Sequence, residues 1–360
     1  MNKKAVIAMS GGVDSAVAAF MMKRQNFDCT AVTMKLFLNN TLSLCEENSC
    51  CSLNDIDIAR KVAASLGMEH HLLDFSENFK EKVIDNFVHS YETGATPNPC
   101  IECNRHLKFT KIFSFAQEND CDFVVTGHYA RIEFDETSGR YVLKKALDKT
   151  KDQSYVLYSL TQDQLSHTIF PLGEMEKLQV RKIAQENGFE NADKKDSQDI
   201  CFIPDGKYAS FIESYTKKVY PEGDFVDSFG NVLGTHKGII RYTIGQRKGL
   251  GLALSEPMYV TKLDLSNNTV VLGKHEELFT KTLTASNINL ISVENLSEPM
   301  RVKAKVRYRQ EEQWATAIQT DIDTIKVEFD EPQRAITKGQ SVVLYDGDTV
   351  VGGGIIEKGM

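Results

Sequence analysis

The chain has 360 residues, 41% of them hydrophobic and 26% charged, which is room for two or three ordinary globular domains. No apolar run approaches the roughly 18 residues of a membrane span, and the run Ala5 to Met9 behind Lys3 and Lys4 is too short for a signal-peptide core, so the expected location is cytoplasmic. A net charge of −8 argues against nucleic-acid binding by bulk charge, while leaving room for a local basic surface.

From the N-terminus, Ala5 to Met9 predicts a buried strand and Ala16 to Gln25 a helix. Between them lies Ser10-Gly11-Gly12-Val13-Asp14-Ser15. A strand that turns through two glycines into a helix aims free N–H groups at one point, where the helix dipole adds positive potential. Ser10 and Ser15 add hydroxyl donors. The loop lacks the Gly-Lys-Ser/Thr ending of a Walker A motif. It resembles instead the Ser-Gly-Gly-x-Asp-Ser loop of the ATP pyrophosphatases, which transfer AMP from ATP to an oxygen and then displace it. That resemblance puts Asp14 where Mg²⁺ or the phosphates need it. The plainer alternative is a glycine turn with a capping serine.

Further on, Cys29 to Phe37 predicts a strand. Ser52-Leu53-Asn54-Asp55 fits a capping box that opens a helix with Ile56, Ala59, Val62, Ala63 and Leu66 on one face. Glu69 to Leu73 predicts a strand, Phe79 to His89 a helix, Arg105 to Gln117 a helix and Asp122 to Thr126 a strand. This rhythm predicts a parallel sheet covered by helices, with ligands at the C-terminal strand ends. Arg131 to Leu147 predicts a hairpin, Thr161 to Ser166 and Glu176 to Asn187 helices, and Lys194 to Pro204 a polar loop. Beyond Asp205 short β runs dominate, and after Lys281 only strands are predicted, at the spacing of a small barrel or sandwich. The expected fold is α/β: a parallel-sheet adenine-nucleotide α-hydrolase-like domain over residues 1–204, a small mainly β domain over 205–278 and a C-terminal β-barrel over 279–360.

The eight cysteines read singly in a reducing cytosol, not as a disulfide scaffold. In Thr96-Pro97-Asn98-Pro99-Cys100-Ile101-Glu102-Cys103-Asn104, Asn104 is a plausible N-cap, which would put Cys103 at a helix start and favour its thiolate. Cys201 lies far along the chain. Cys45, Cys50 and Cys51 crowd a loop after the second strand and are read as polar loop residues rather than a metal site. Cys29 and Cys121 border strands and are read as buried. His128 follows a strand end on the ligand side, and His70 and His71 receive no role. Arg301, Lys303, Lys305, Arg307 and Arg309 alternate with apolar residues, which at period two places five cations on one face, a match for RNA phosphates. Arg241, Arg247 and Lys248 form a second basic loop.

Across essentially its whole length the chain resembles the tRNA-specific 2-thiouridylases. The resemblance rests on Ser-Gly-Gly-Val-Asp-Ser (10–15), Thr-Pro-Asn-Pro-x-x-x-Cys-Asn (96–104), Thr-Gly-His-Tyr-Ala (126–130) and Lys-Asp-Gln-Ser-Tyr (151–155). It continues through Ser-Gln-Asp-Ile-Cys-Phe (197–202), Tyr-Thr-Ile-Gly-Gln-Arg-Lys-Gly-Leu-Gly (242–251) and Tyr-Asp-Gly-Asp with Gly-Gly-Gly (345–354). It implies ATP-dependent replacement of oxygen by sulfur at C2 of the wobble uridine in tRNAs of the Lys, Glu and Gln type, with Mg²⁺. It implies that Ala8, Met9, Ser10, Gly11, Gly12, Val13, Asp14, Ser15, Met34 and Gly127 contact ATP. Cys103 would be the nucleophile and Cys201 the persulfide carrier, the two forming a disulfide in turnover. Asn98, Pro99 and Cys100 would meet the flipped base, and His128, Lys151, Asp152, Gln153, Arg307, Tyr308 and Gln340 the tRNA. A cysteine desulfurase or sulfur relay protein is implied as donor. Many family members carry Asp where this chain has Cys100. Cys100, Cys103 and Cys201 are thus compatible with a [4Fe–4S] cluster of the kind some related thiolases hold, with zinc, or with redox thiols. Cluster-free persulfide chemistry is the reading adopted. The rivals are an amide-forming ligase of the same superfamily and a non-catalytic tRNA-binding protein.

Overall fold

The computed structural model describes residues 3–37, 53–194, 196, 200–203 and 206–359. Its first elements alternate as β1 (Lys4–Ala8), α1 (Val13–Arg24), β2 (Asp28–Lys35), α2 (Leu53–Ser65) and β3 (His70–Asp74). Ser52, which opens the expected capping box, and Cys45, Cys50 and Cys51 lie outside the described residues. A helical stretch follows as α3 (Ser76–Phe79), a π-helical turn at Lys80–Asp85 and α4 (Asn86–Glu92).

The expected helix from Arg105 to Gln117 is not one helix. The chain forms α5 (Pro99–Cys103), a π-helical turn at Asn104–Lys108 and then α6 (Lys111–Glu118). Pro99 explains the early start. It takes the first helical position, where its missing N–H costs nothing, and the Asn98 side chain accepts from the Cys100 N–H at 3.2 Å. Asn98 is therefore the N-cap. Asn104 lies inside the helix, 1% exposed, with its Nδ2 donating to the Val156 carbonyl at 2.8 Å.

Next come β4 (Phe123–Val125), the hairpin β5 (Ala130–Asp135) and β6 (Arg140–Lys145), α7 (Ser154–Leu157), α8 (Gln162–Ser166), β7 (Thr168–Ile169) and α9 (Lys177–Glu186). The first sheet has the order β3-β2-β1-β4-β7, all parallel. Its central strands are buried on both faces, so β1 reads as a continuous apolar run rather than an alternating one. The connection from β1 leads to β2 on one side, whereas β4 lies on the other. The crevice beyond the C-terminal ends of β1 and β4 is thus the topological switch point where such sheets bind ligands.

After α10 (Tyr208–Thr216), the strands β8 (Gly223–Val226), β9 (Val232–His236), β10 (Tyr259–Asp264) and β11 (Thr269–Gly273) form a second sheet, order β10-β11-β8-β9. The last part holds β12 (Phe279–Leu290), β13 (Met300–Lys305), β14 (Gln313–Asp321), β15 (Thr324–Arg334), β16 (Ser341–Asp346) and β17 (Thr349–Gly359). These six strands run in the order β12-β15-β14-β13-β16-β17, and β12 pairs with β17 to close a barrel. The hairpin joins this sheet, not the first one, through Thr349 opposite Lys144.

The five-cation face is shorter than its sequence pattern. Val302, Ala304 and Val306 are buried as expected, but β13 ends at Lys305. Arg307 turns inward to donate to the Ala335 carbonyl at 2.8 Å and Thr337 Oγ1 at 3.1 Å. Arg301 is paired with Asp330 and lies over the Trp314 ring.

The barrel is fused to the first domain rather than tethered to it. One core cluster combines Ile101, Phe109, Tyr155 and Tyr158 with Val343, Tyr345 and Val350 of the barrel. Tyr155 Oη donates to the Ser341 carbonyl at 2.8 Å. A three-bond clasp holds the loop before α5: the Thr96 N–H donates to the Lys338 carbonyl at 2.8 Å, and Gln340 Nε2 donates to the carbonyls of Thr96 at 2.7 Å and Pro97 at 3.4 Å.

Two expectations follow. Tyr155→Phe leaves the buried Ser341 carbonyl without its donor, at a cost of about 1–3 kcal/mol, measured as a lower Tm than wild type. Gln340→Ala opens the clasp, and hydrogen–deuterium exchange at 96–103 then speeds up while the interior of the first sheet keeps its protection.

Candidate active site

The nucleotide loop sits at the switch point. Gly12 is the N-cap of α1 and no side chain caps that helix, so the N–H groups of its first turn remain donors. Gly11 has φ +73°, a left-handed conformation, and a Cβ on it would lie 2.5 Å from the Asp55 carbonyl oxygen. A Cβ on Gly127, at the end of β4, would lie 2.8 Å from the backbone of Asp14 and Ser15. Gly127 therefore lets β4 close against the loop, whatever else it touches. Ser10 and Ser15 bond to the loop itself: the Ser10 N–H donates to Ser15 Oγ at 3.2 Å, and Ser15 Oγ donates to the Gly12 carbonyl at 2.9 Å. The loop is preformed, with β1 secured by Met9 N–H to the Val32 carbonyl and Thr33 Oγ1 to the Met9 carbonyl. Met34 lies on β2, partly buried.

Asp14 is not open to solvent chemistry on all sides. Tyr129 Oη donates to its Oδ1 at 2.7 Å, and Lys177 Nζ bonds both oxygens at 2.7 and 2.8 Å. Lys177 is buried at the start of α9 and also pairs with Asp196 at 2.8 Å. Asp196 in turn pairs with Arg181 at 2.9 Å and Lys151 at 2.7 Å. Burial works against the charge of Asp196, but the hydrogen bonds from Lys151 and Lys177 outweigh it and hold the carboxyl below its usual range. Burial, then the Asp14 carboxylate, pushes the Tyr129 phenol far up, so it stays a donor. Two further ties fasten the segment around Asp196, one to the loop and one to α2. Asn191 Nδ2 donates to the Gly11 carbonyl at 3.1 Å, and Lys194 pairs with Asp55. Lys177, Asp196 and Asn191 carried no sequence signal of their own, and Tyr129 only its place in the Thr-Gly-His-Tyr-Ala motif, because each acts through a partner remote in the chain.

The two thiols of interest share one apolar neighbourhood. Cys103 belongs to the cluster built on Phe79, Phe87 and Phe202, and Cys201 packs against it. Cys103 closes α5 instead of opening a helix, so the expected activation by a helix N-terminus does not apply. Its apolar setting and the adjacent π turn, which displaces the following side chains from α-helical register, define its surroundings instead. Cys100 is exposed and Cys103 buried. No set of three or more His, Cys, Asp or Glu residues placed to hold a metal ion occurs among the described residues. The three cysteines thus do not fit a [4Fe–4S] cluster as placed.

The residues expected to meet tRNA divide into two groups. Burial, then the charges of Asp152 and Cys100, raises the pKa of the Tyr308 phenol. Tyr308 is 37% exposed, and its Oη donates to the Asp152 carbonyl at 3.1 Å. Gln153 Oε1 accepts from the Tyr129 N–H at 2.9 Å, and the Asp152 carboxylate accepts from Ser154 Oγ at 2.8 Å. Tyr308 is the most exposed of these, and Lys151, Asp152 and Gln153 are half-buried. The other group is internal. His128 is 8% exposed, bonded to Thr126 Oγ1 at 2.7 Å and set beside the rings of Phe109 and Phe170. Burial, with Lys108 nearby, holds its pKa well below the usual value, so it is neutral. That environment fits a structural part better than an RNA contact. Arg307 and Gln340 are engaged with the barrel and the Thr96–Pro97 loop, as described above.

Residues 3–205 match the family described as the tRNA methyl transferase HUP domain, 209–274 its PRC-barrel domain, and 280–356 the aminomethyltransferase beta-barrel domain. The tRNA-specific 2-thiouridylase MnmA of Clostridioides difficile is 54% identical over 100% of this chain and 99% of its own length. That of Clostridium acetobutylicum is 50% identical over 99% of this chain and 100% of its own. A 4-thiouridine synthetase bound to RNA and ATP is similar over 59% of this chain and 50% of its own at 19% identity and a TM-score of 0.38, too distant to bear on the site. With full-length relatives at this identity and a nucleotide loop and two thiol segments in the family's order, the chain belongs to the tRNA-specific 2-thiouridylases, a family of tRNA sulfurtransferases.

Proposed function

We propose that this chain replaces the C2 oxygen of the wobble uridine, position 34, of tRNA by sulfur, using ATP. The observation that carries the reading is convergence. The segment that leads to Cys201 is fastened to the nucleotide loop through Asn191 and Asp196, while Cys103 and Cys201 meet one apolar cluster. A machine that first activates an oxygen and then delivers sulfur to the same carbon needs those parts together.

The uracil C2 carbonyl is a poor electrophile and its oxygen a poor leaving group. In the first step that oxygen attacks the α-phosphorus of ATP and pyrophosphate leaves. The uncapped N–H groups of α1 are suited to hold the phosphates, and Mg²⁺ supplies charge neutralisation to them when bound. In the second step the terminal sulfur of a Cys201 persulfide attacks C2, and AMP departs with the original oxygen. Cys103 thiolate then attacks the Cys201 sulfur. This frees 2-thiouridine and leaves a Cys103–Cys201 disulfide, which an external thiol reductant must reopen. The persulfide comes from a donor protein, a cysteine desulfurase or a relay, and the base must leave the anticodon stack to reach the pocket. Asn98, Pro99 and Cys100, at the start of α5 where Cys100 is exposed, are the residues we assign to it, together with Tyr308. The substrates are tRNAs of the Lys, Glu and Gln type, and the reaction belongs in the cytoplasm. An amide-forming ligase would use the nucleotide loop but would leave Cys103, Cys201 and the base-facing α5 without a task.

Nucleoside mass spectrometry of tRNA incubated with the protein, ATP, Mg²⁺ and a persulfide donor tests this. The expected result is 2-thiouridine with wild type and none with Cys103→Ser or Cys201→Ser, tRNA binding being retained in both. Product formed equally by the serine variants would overturn the roles given to the thiols.

A further inference from the structure

Two adjacent glycines leave the nucleotide loop with a peptide plane, Gly11–Gly12, that is easy to turn over. In a trans peptide the carbonyl and the N–H point in opposite directions, so the way this plane faces decides whether the crevice meets a donor or an acceptor. The carbonyl points inward. Gly11 is buried, and its oxygen accepts from Asn191 Nδ2 at 3.1 Å. The Gly12 N–H points outward, toward the hydroxyl of the exposed Ser10 at 3.4 Å, a long bond that a phosphate oxygen can displace. Asn191 is 2% exposed, and among the described residues the Gly11 carbonyl is the only hydrogen-bond partner of its side chain, since Oδ1 has none. A buried amide with one atom unpaired costs stability, so packing alone does not account for it. The turn that carries Asn191 is itself held: Arg181 of α9 donates to the carbonyls of Ala192 at 3.0 Å and Lys194 at 3.1 Å.

We propose that Asn191 is a positioning residue for the nucleotide loop: by keeping the Gly11 carbonyl inward it keeps the Gly12 N–H outward, as a donor to the ATP phosphates. This deepens the ATP-dependent reading above and rests on it. With the tie cut, the plane turns over in a share of the molecules. A carbonyl oxygen then faces the phosphates in place of an N–H, so a donor is exchanged for a repulsive dipole. The two glycines allow close approach of a ligand, and the remote amide supplies the orientation that they lack.

The test uses the full-length protein without tRNA, with inorganic pyrophosphate and Mg²⁺·ATP as probes. Asn191→Leu replaces the amide by an apolar γ-branched side chain of similar outline, and Asn191→Ala removes everything beyond Cβ. Calorimetry gives the affinities, Tm is measured on each variant, and a ligand-free crystal structure of each shows which way the Gly11–Gly12 peptide faces. Both variants should bind pyrophosphate and Mg²⁺·ATP at least about tenfold more weakly than wild type, with the Gly11 carbonyl turned outward in all or part of the molecules. If one variant does not fold, the other decides. A peptide that keeps its wild-type orientation, whatever the affinity, or wild-type affinity for pyrophosphate in a folded variant, would overturn the proposal. Absence of pyrophosphate and ATP binding by wild type would instead overturn the ATP-dependent reading itself.

Discussion

The carboxylate of Asp14, gripped by Tyr129 and Lys177, is the interaction on which the site depends. Through it the start of α1, the end of β4 and the start of α9 meet at one point beneath the nucleotide loop. The ion pair runs on through Asp196 to Arg181 and Lys151, so the segment before Cys201 and the Lys-Asp-Gln-Ser-Tyr stretch are referred to the same origin. A buried cation between two carboxylates is costly to assemble, and removing Lys177 leaves Asp14 without its cation. Such a network contributes little net stability compared with apolar packing of the same volume. What it supplies is a fixed geometry.

A second constraint comes from the barrel. Its six strands close on themselves, and the hairpin of the first domain extends its sheet. Tyr155, Tyr158 and Tyr345, all fully buried, fill the seam. The clasp from Lys338 and Gln340 then holds Thr96 and Pro97, immediately before the residues assigned to the base. The barrel is therefore part of the scaffold that positions α5, in addition to any surface it offers to RNA. Arg307 illustrates the point: its guanidinium is committed to backbone and hydroxyl acceptors inside the barrel seam.

Much of this was legible in the sequence where local rules decide. The βα rhythm, the glycine loop on a strand–helix junction and the late run of strands all follow from periodicity and turn chemistry, and the structure has each of them. What failed did so for identifiable reasons. Asn104 and Asn98 both qualify as caps by residue type, and only Pro99 at the first helical position selects Asn98, which moves Cys103 from helix start to helix end. The alternation from Arg301 to Arg309 assumes an unbroken strand, but β13 stops at Lys305 and Arg307 turns inward. The hairpin's attachment to the barrel is set by Thr349 and Lys144, 205 positions apart, beyond any local pattern. Lys177 looks like any surface lysine at a helix start. Its partners, Asp14 and Asp196, become visible only once the sheet is folded.

The central claim is that the nucleotide loop makes the uridine oxygen a leaving group before the thiols act. Isotope tracing addresses it without depending on any substitution. An anticodon stem-loop carrying ¹⁸O at C2 of the wobble uridine is thiolated by the protein with ATP and a persulfide donor, and the released nucleotide is weighed. The account predicts one ¹⁸O in the AMP phosphate for each 2-thiouridine formed. Unlabelled AMP alongside labelled water, or thiolation with no AMP released, would contradict it.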